Sequence, residues 1–360
     1  MIFFLLKKLL KNTENFIFFS QLTFRMLASF LTSAIFFTLF APVFIRKLKS
    51  IQFFQKVREE NPKSHLKKRK TPTFGGLLII SSVLSSMFLW SNLNVKYIQY
   101  IFFSIFFYGL IGFIDDYKKI VYRNSKGLTA GWKYFWQSLL TIIMLFFLYT
   151  SNDFSNNFLK KDDISVGSSI CLFVRVMISY LIIVGMSNAV NITDGLDGLV
   201  SMPLIFVYLS FSVISILSSQ NIVSSELTVN NLHNIKDYSE IAIACFAIIG
   251  SCTGFLWFNI HPAKLFMGDV GSLSLGSTMG LISVLLEKEL NLLLIGGIFT
   301  VEVSSVIFQI FYFKLFHKRF YLMAPIHHHY ELLGYSEPEI IFKFWIISLM
   351  FSIFGLLITW

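Results

Sequence analysis

Residues 97–119 read YIQYIFFSIFFYGLIGFIDDYKK. From Tyr97 to Ile114 there is no charged side chain, and the run then meets Asp115, Asp116, Lys118 and Lys119 within five residues. A helix needs about 20 mostly apolar residues to cross the hydrocarbon of a bilayer, so this stretch reads as a membrane span that ends abruptly in charge. The same pattern recurs on both sides of it. Candidate spans fall at 21–45, 72–91, 97–114, 133–150, 170–189, 199–218, 240–259, 270–286, 291–313 and 338–359. The expected fold class is all-α: a polytopic membrane protein with about ten transmembrane helices and both termini on one side. The span at 270–286 is the least obvious because it is rich in Gly and Ser; its Gly276 and Gly280 form a small-xxx-small pair that predicts close helix packing.

Composition agrees. Of 360 residues, 55% are hydrophobic and 14% are charged, yet the net charge is +10. A soluble domain carries about 25% charged residues, so the deficit points to apolar spans joined by basic loops, and no nucleic-acid partner is expected. The three cysteines, Cys171, Cys245 and Cys252, lie in apolar runs without a CxxC pair, which argues against disulfides and structural zinc. Residues 1–20 put Ile2 to Leu6 ahead of Lys7, Lys8 and Lys11, the reverse of a signal peptide. They read as an interfacial N-terminal segment.

Lys and Arg orient the spans, because cytoplasmic loops carry the excess. Residues 46–70 hold ten and residues 115–133 hold five; Lys264, Lys314, Lys318 and Arg319 bring that set of alternate loops to 19 of the 30 basic residues. The opposite set holds eight. The first set is expected to face the cytoplasm and both termini the periplasm. The chain reads as a single transmembrane domain over 1–360, with 46–71, 115–133, 188–199, 260–269 and 314–337 as cytoplasmic loops that form the active site.

The chemically unusual residues all fall in that set. Lys70 precedes Thr71-Pro72 at the entry to the second span, where it is either a positive anchor or a phosphate contact. Asp115 and Asp116 stand at the inner end of the third span, as a solvated acid pair, or as cation ligands or a general base. Asn188, Asn191, Asp194 and Asp197 are each three apart, a spacing that aligns them on one side of a helix, against the competing reading of an Asx/Gly turn. Asp269 begins the eighth span, as an N-cap or as a metal ligand. His327, His328 and His329 are consecutive, so they cannot all face one point; one or two would act, and the others would pack. Hard oxygen donors from Asp115, Asp116, Asp194, Asp197 and Asp269, with Asn and Lys, suit Mg²⁺ bridging phosphate oxygens rather than zinc or copper. Such a set at a membrane surface suggests phosphoryl transfer between a nucleotide-type substrate and a lipid. A transporter would place its ionisable residues near the bilayer midplane, whereas these cluster at span ends.

The runs SHLKKRKTPTFGG (64–76), GFIDDY (112–117), NAVNITDGLDGL (188–199), HPAKLFMGDVGSLSLG (261–276) and MAPIHHHYELLGYSEPEI (323–340) resemble the polyprenyl-phosphate N-acetylhexosamine-1-phosphate transferase superfamily, the glycosyltransferase 4 family. The PIHHHxE and GYSEPE stretches are similar to its peptidoglycan branch. The resemblance implies ten transmembrane helices, a homodimer in the bacterial inner membrane, and Mg²⁺-dependent transfer of phospho-MurNAc-pentapeptide from UDP-MurNAc-pentapeptide to undecaprenyl phosphate, giving lipid I and UMP. By matching positions, it implies that Asp269 is the metal ligand and Asp115 a base or nucleophile beside Asp116. It also implies that Lys70, Asn191, Asp194, Asp197 and Phe266 line the nucleotide pocket. Lys119, Lys133, His327 and His328 would then hold phosphates or the sugar-peptide, with His329 beside them. One departure is Gly131, where the family pattern leads one to expect a basic residue; Lys133 is retained and Lys126 lies nearby.

Overall fold

The computed structural model describes residues 20–51, 71–122, 127–150, 166–224 and 229–359. The expectations for residues 1–19 and for Lys70 and Lys126 lie outside the described residues. The described residues form twelve helices: α1 (Leu22–Ser50), α2 (Gly75–Trp90), α3 (Lys96–Val121), α4 (Ala130–Thr150), α5 (Val166–Thr193), α6 (Ser201–Ser224), α7 (Val229–Asn259), α8 (Gly268–Leu285), α9 (Glu289–Ile295), α10 (Gly297–Phe316), α11 (Ile326–Leu332) and α12 (Glu337–Ile358). The all-α, multi-pass architecture expected from sequence is the one found. Eight of these helices are long and apolar enough to cross a membrane. The other two expected spans correspond to α2, with 16 residues, and α8, with 18.

The helices expose large apolar side chains, and their apolar interior is interrupted by buried Ser and Thr. On α1, Leu27, Leu31, Ile35 and Leu39 are exposed at four-residue spacing, while Ser29, Ser33, Phe37 and Ala41 are buried. Lipid tails are as apolar as leucine, so helices in a bilayer associate through close packing and interhelical hydrogen bonds instead. Ser29 and Ser86 hydroxyls meet at 2.9 Å, Ser82 and Ser251 at 2.6 Å, and Ser104 and Ser277 at 3.1 Å. Tyr108 donates to the Gln137 carbonyl at 3.1 Å.

At the centre stands α8, packed mainly against α3 and α5. Every residue from Val270 to Leu285 is buried, which explains its Gly and Ser content: a helix walled in by others needs close approach, not an oily surface. A Cβ on Gly276 would come 2.5 Å from the Met186 carbonyl oxygen, and one on Gly280 would come 2.7 Å from the Ile183 Cα, so both glycines let α8 lie against α5. On the α3 side, a Cβ on Gly112 would come 2.3 Å from the Asp269 carbonyl oxygen. This contact brings the two acid-bearing helix ends together.

The ninth expected span is broken. It divides at Gly296 into the seven-residue α9 and the 20-residue α10. The 20-residue α10 is by itself long enough to cross a membrane, and the short α9 precedes it.

Candidate active site

The ends of four helices converge on one point. The sequence put Asp115 and Asp116 at the end of a span, but α3 continues to Val121. The acids therefore sit inside the helix, where the macrodipole has largely faded, and Lys118 and Lys119 take the favourable last turn. Helical spacing then lays Lys119 over both acids. Its Nζ lies 2.5 Å from Asp115 Oδ2 and 3.3 Å from Asp116 Oδ1. It also reaches Asp269 Oδ2 at 3.0 Å.

Asp269 occupies the first turn of α8, where a negative charge is favoured. It does not cap the helix: Met267 holds the cap position and no side-chain cap bond is made. Instead its Oδ2 takes Lys133 Nζ from the first turn of α4 at 2.6 Å, and its Oδ1 takes Asn191 Nδ2 from the last turn of α5 at 2.8 Å. Asn191 also donates to Ser272 Oγ at 2.8 Å. Both oxygens of Asp115 are engaged, since Leu128 N–H donates to Oδ1 at 2.6 Å and Lys119 holds Oδ2. Asp116 Oδ2 accepts the Val270 N–H at 3.3 Å.

Oxygens of Asp115, Asp116 and Asp269 lie within 4.8 Å of one another. Three carboxylates face two ammonium groups there, and buried charge demands compensation. The donor set is all hard oxygen, which fits a divalent cation of the Mg²⁺ type. One further feature fits. Gly268 has φ +74°, and a Cβ there would come 2.5 Å from Asp116 Oδ2 and 2.9 Å from Thr73 Oγ1, a buried hydroxyl with no hydrogen-bond partner.

The four-residue stripe of Asn and Asp does not form as one helical row. Helix α5 ends at Thr193, and Gly198, at φ +81°, closes a turn over the acids. Asn188 bonds Gln137 Oε1 at 2.9 Å between α4 and α5, away from the carboxylates. Asp194 stays near them; burial pushes its carboxyl up to about 8, the charges of Asp269, Asp116 and Asp197 push the same way, and the Gly268 N–H opposes them. Asp197 faces a second group. It accepts the Ala263 N–H at 2.9 Å and lies 3.4 Å from His261 Nδ1, which is 3.6 Å from Glu337 Oε2. Phe266 is half-buried, and its backbone pins the entry to α2 by pairing with Pro72 and Gly75 at 2.9 and 2.8 Å.

The three histidines diverge around α11. His327 is fully buried, with Nδ1 3.1 Å from Glu302 Oε1 of α10. His328 Nδ1 pairs with Glu331 Oε2 at 2.7 Å. His329 Nδ1 accepts the Leu322 N–H at 3.2 Å, and its ring packs on Tyr321, so it holds the α10–α11 connection. Sequence reasoning missed Glu302, although a lone acid in an apolar run is itself a signal. It also assigned no role to His261 or Glu337, which stood in quoted motifs without spacing that joined them.

The pattern of glycosyl transferase family 4 matches residues 98–287, from α3 through the start of the α8–α9 connection. Curated relatives from Buchnera aphidicola subsp. Acyrthosiphon pisum, strains Tuc7 and 5A, are 45% identical over 344 residues, covering 94% of this chain and 94% of theirs. Both are named phospho-N-acetylmuramoyl-pentapeptide-transferase. The same helices that carry Asp115, Asp116, Asn191 and Asp269 thus fall inside the matched stretch, and the chain belongs to glycosyl transferase family 4, within its phospho-N-acetylmuramoyl-pentapeptide-transferases.

Proposed function

We propose that the chain transfers phospho-MurNAc-pentapeptide from UDP-MurNAc-pentapeptide to undecaprenyl phosphate, giving lipid I and UMP, with Mg²⁺ as its cofactor. The observation that carries this reading is the meeting of Asp115, Asp116 and Asp269 with Lys119 and Lys133 at one end of an apolar bundle. The names of the relatives supply the sugar and peptide. The basic loops support a multi-pass protein of the bacterial inner membrane with its site facing the cytoplasm. A homodimer rests on the family resemblance.

Asp269, with Asp115 and Asp116 beside it, would hold the Mg²⁺, which when bound counters the charge on the diphosphate. The residues of the chain do the positioning. Asn191 fixes the rotamer of Asp269 through its amide. Lys119 and Lys133 bring ammonium groups to the point where phosphate oxygens must gather. Asp194, Asp197 and Phe266 would line the nucleotide pocket, and His327 and His328 would hold phosphates or the sugar-peptide; the same expectation for Lys70 lies outside the described residues.

Asp115 bears on the chemical route. A carboxylate whose two oxygens already accept a strong N–H bond and an ammonium contact is a poor nucleophile. Direct attack is therefore favoured: an oxygen of the lipid phosphate bonds to the β-phosphorus, the bond to the bridging oxygen breaks, and UMP leaves with that oxygen. A lipid phosphate is largely ionised at neutral pH, so positioning supplies most of the acceleration.

The test is UMP release by the purified chain in detergent, with UDP-MurNAc-pentapeptide or UDP-GlcNAc as donor and with Mg²⁺ titrated. Turnover with the first donor, dependent on both Mg²⁺ and undecaprenyl phosphate, is expected. Turnover only with UDP-GlcNAc would reassign the donor sugar. A phospho-aspartate trapped without lipid acceptor would overturn direct attack.

A further inference from the structure

Glu302 and His327 form a buried pair that the carboxylate–lysine centre does not use. Glu302 sits in the second turn of α10 and His327 in the first turn of α11, and both are 0% exposed. Oε1 and Nδ1 are 3.1 Å apart, a close charge contact outside hydrogen-bond geometry, and none of the carboxylate oxygens or ring nitrogens has a hydrogen-bond partner among the described residues. A carboxylate this deep is costly unless it is paired. The other ring nitrogen points at something specific. A Cβ on Gly195 would come 2.4 Å from His327 Nε2, so Nε2 abuts the turn that carries Asp194 and Asp197, and only a glycine at 195 admits it.

The two nitrogens of one imidazole thus face Glu302 on one side and the Gly195 turn on the other. A carboxylate at Nδ1 fixes ring orientation and tautomer and leaves Nε2 for a ligand, as it does for histidines at metal sites. We propose that Glu302 is a positioning residue for the nucleotide substrate: it holds His327 by Nδ1, so that Nε2 meets an oxygen of a uridine nucleotide seated at the Asp194–Asp197 turn. The proposal rests on the nucleotide-sugar reaction argued above and adds the residue that aims His327 at its substrate. His328, whose ring lies 4.2 Å from that of His327, is occupied by Glu331 and does not compete for this role.

The experiment is a double-mutant cycle on the full-length protein with Glu302→Gln, His327→Asn and the pair, read both by steady-state kinetics and by calorimetric titration of UMP. Each single variant should lose roughly tenfold or more in kcat/KM for the nucleotide donor, the scale on which a histidine-orienting carboxylate acts. KM for undecaprenyl phosphate should hold, and UMP affinity should fall by a matching factor. The pair should lose no more than either single variant, because both act through one ring, and Glu302→Asp should recover part of the loss. Multiplicative losses, an equal loss for donor and lipid, or unchanged UMP affinity would overturn the proposal. If Glu302→Gln fails to fold, the same cycle with Glu302→Asp decides by the same criterion. If the wild type binds UMP but does not turn over, the reaction reading fails alone, and the UMP titrations still decide the role of Glu302.

Discussion

Lys119 is in contact with Asp115, Asp116 and Asp269 at once, at 2.5, 3.3 and 3.0 Å. That makes it the common counterion of the centre, and its loss has a definite sign. Lys119→Met should lower the melting temperature of metal-free protein, because among the described residues the three largely buried carboxylates would keep only Lys133 as an ammonium partner. The same variant should gain more from added Mg²⁺ than the wild type does, since removing a cation raises the local attraction for another. Turnover should still fall by about 100-fold, the cost of losing one preorganised charge at a reacting group. A Mg²⁺-induced shift smaller than that of the wild type would show that Lys119 is not the counterion. Asp194 gives a pH prediction. Its carboxyl is raised from 3.8 to about 8 on folding, so the folded chain holds a proton that the unfolded chain has lost between those values. Stability from this group is present at low pH and drains away as pH rises to about 8. In metal-free melts, the advantage of Asp194→Asn over the wild type should therefore widen from pH 4 to 8 and then level off; a flat difference would refute the shift. At this scale the acids were legible, because Asp beside long apolar runs is conspicuous. It hid Glu302, His261 and Glu337, whose partners lie 25, 64 and 140 residues away in sequence.

At the scale of elements, the site depends on how closely α3 and α8 approach. Gly112 sits against the Asp269 carbonyl, and its replacement by Ala would force the two helices apart by way of the backbone itself. Gly112→Ala should cost about 1–3 kcal/mol of stability, the usual cost of overpacking, and should lower kcat because Asp115 and Asp116 move away from Asp269. Gly131 is the matched control. It lies exposed in the first turn of α4, with nothing within 4 Å of an added Cβ. Gly131→Ala should leave kcat in place and raise stability by up to about 0.5–1 kcal/mol through helix propensity. If the two variants behaved alike, the close approach would not be what sets the site. Helix existence was legible from apolar length, and the Gly276–Gly280 spacing pointed to close helix packing, whose partner the structure supplies as α5. Helix ends were less so. The hydropathy of α3 stops at Ile114 although its backbone continues to Val121, because polar side chains continue a helix once it leaves the oily layer. The split at Gly296 was hidden for the opposite reason, since the apolar run crosses it unbroken.

For the whole molecule, the ordering of charge along the bundle decides which way the site faces. Arg25 pairs with Glu240 at 2.6 Å and donates to the Trp90 carbonyl, tying α1, α2 and α7 at the end of α2 remote from Gly75. The carboxylate centre lies at the other end of the same helices, beside Gly75 and Gly76. The proposed nucleotide-sugar donor would enter from water on that side, and the excess of Lys and Arg in the loops supports the proposal that this side is the cytoplasm. Single cysteines test this in a Cys171→Ala background, where Cys245 and Cys252 are buried and inert. Lys318 and Glu287 are both exposed and lie on opposite sides in the assigned topology. A membrane-impermeant maleimide should label Glu287→Cys in spheroplasts and Lys318→Cys only in inverted vesicles. The reverse pattern would place the carboxylate centre outside the cell, away from any supply of nucleotide sugar, and the proposed reaction would fall with it.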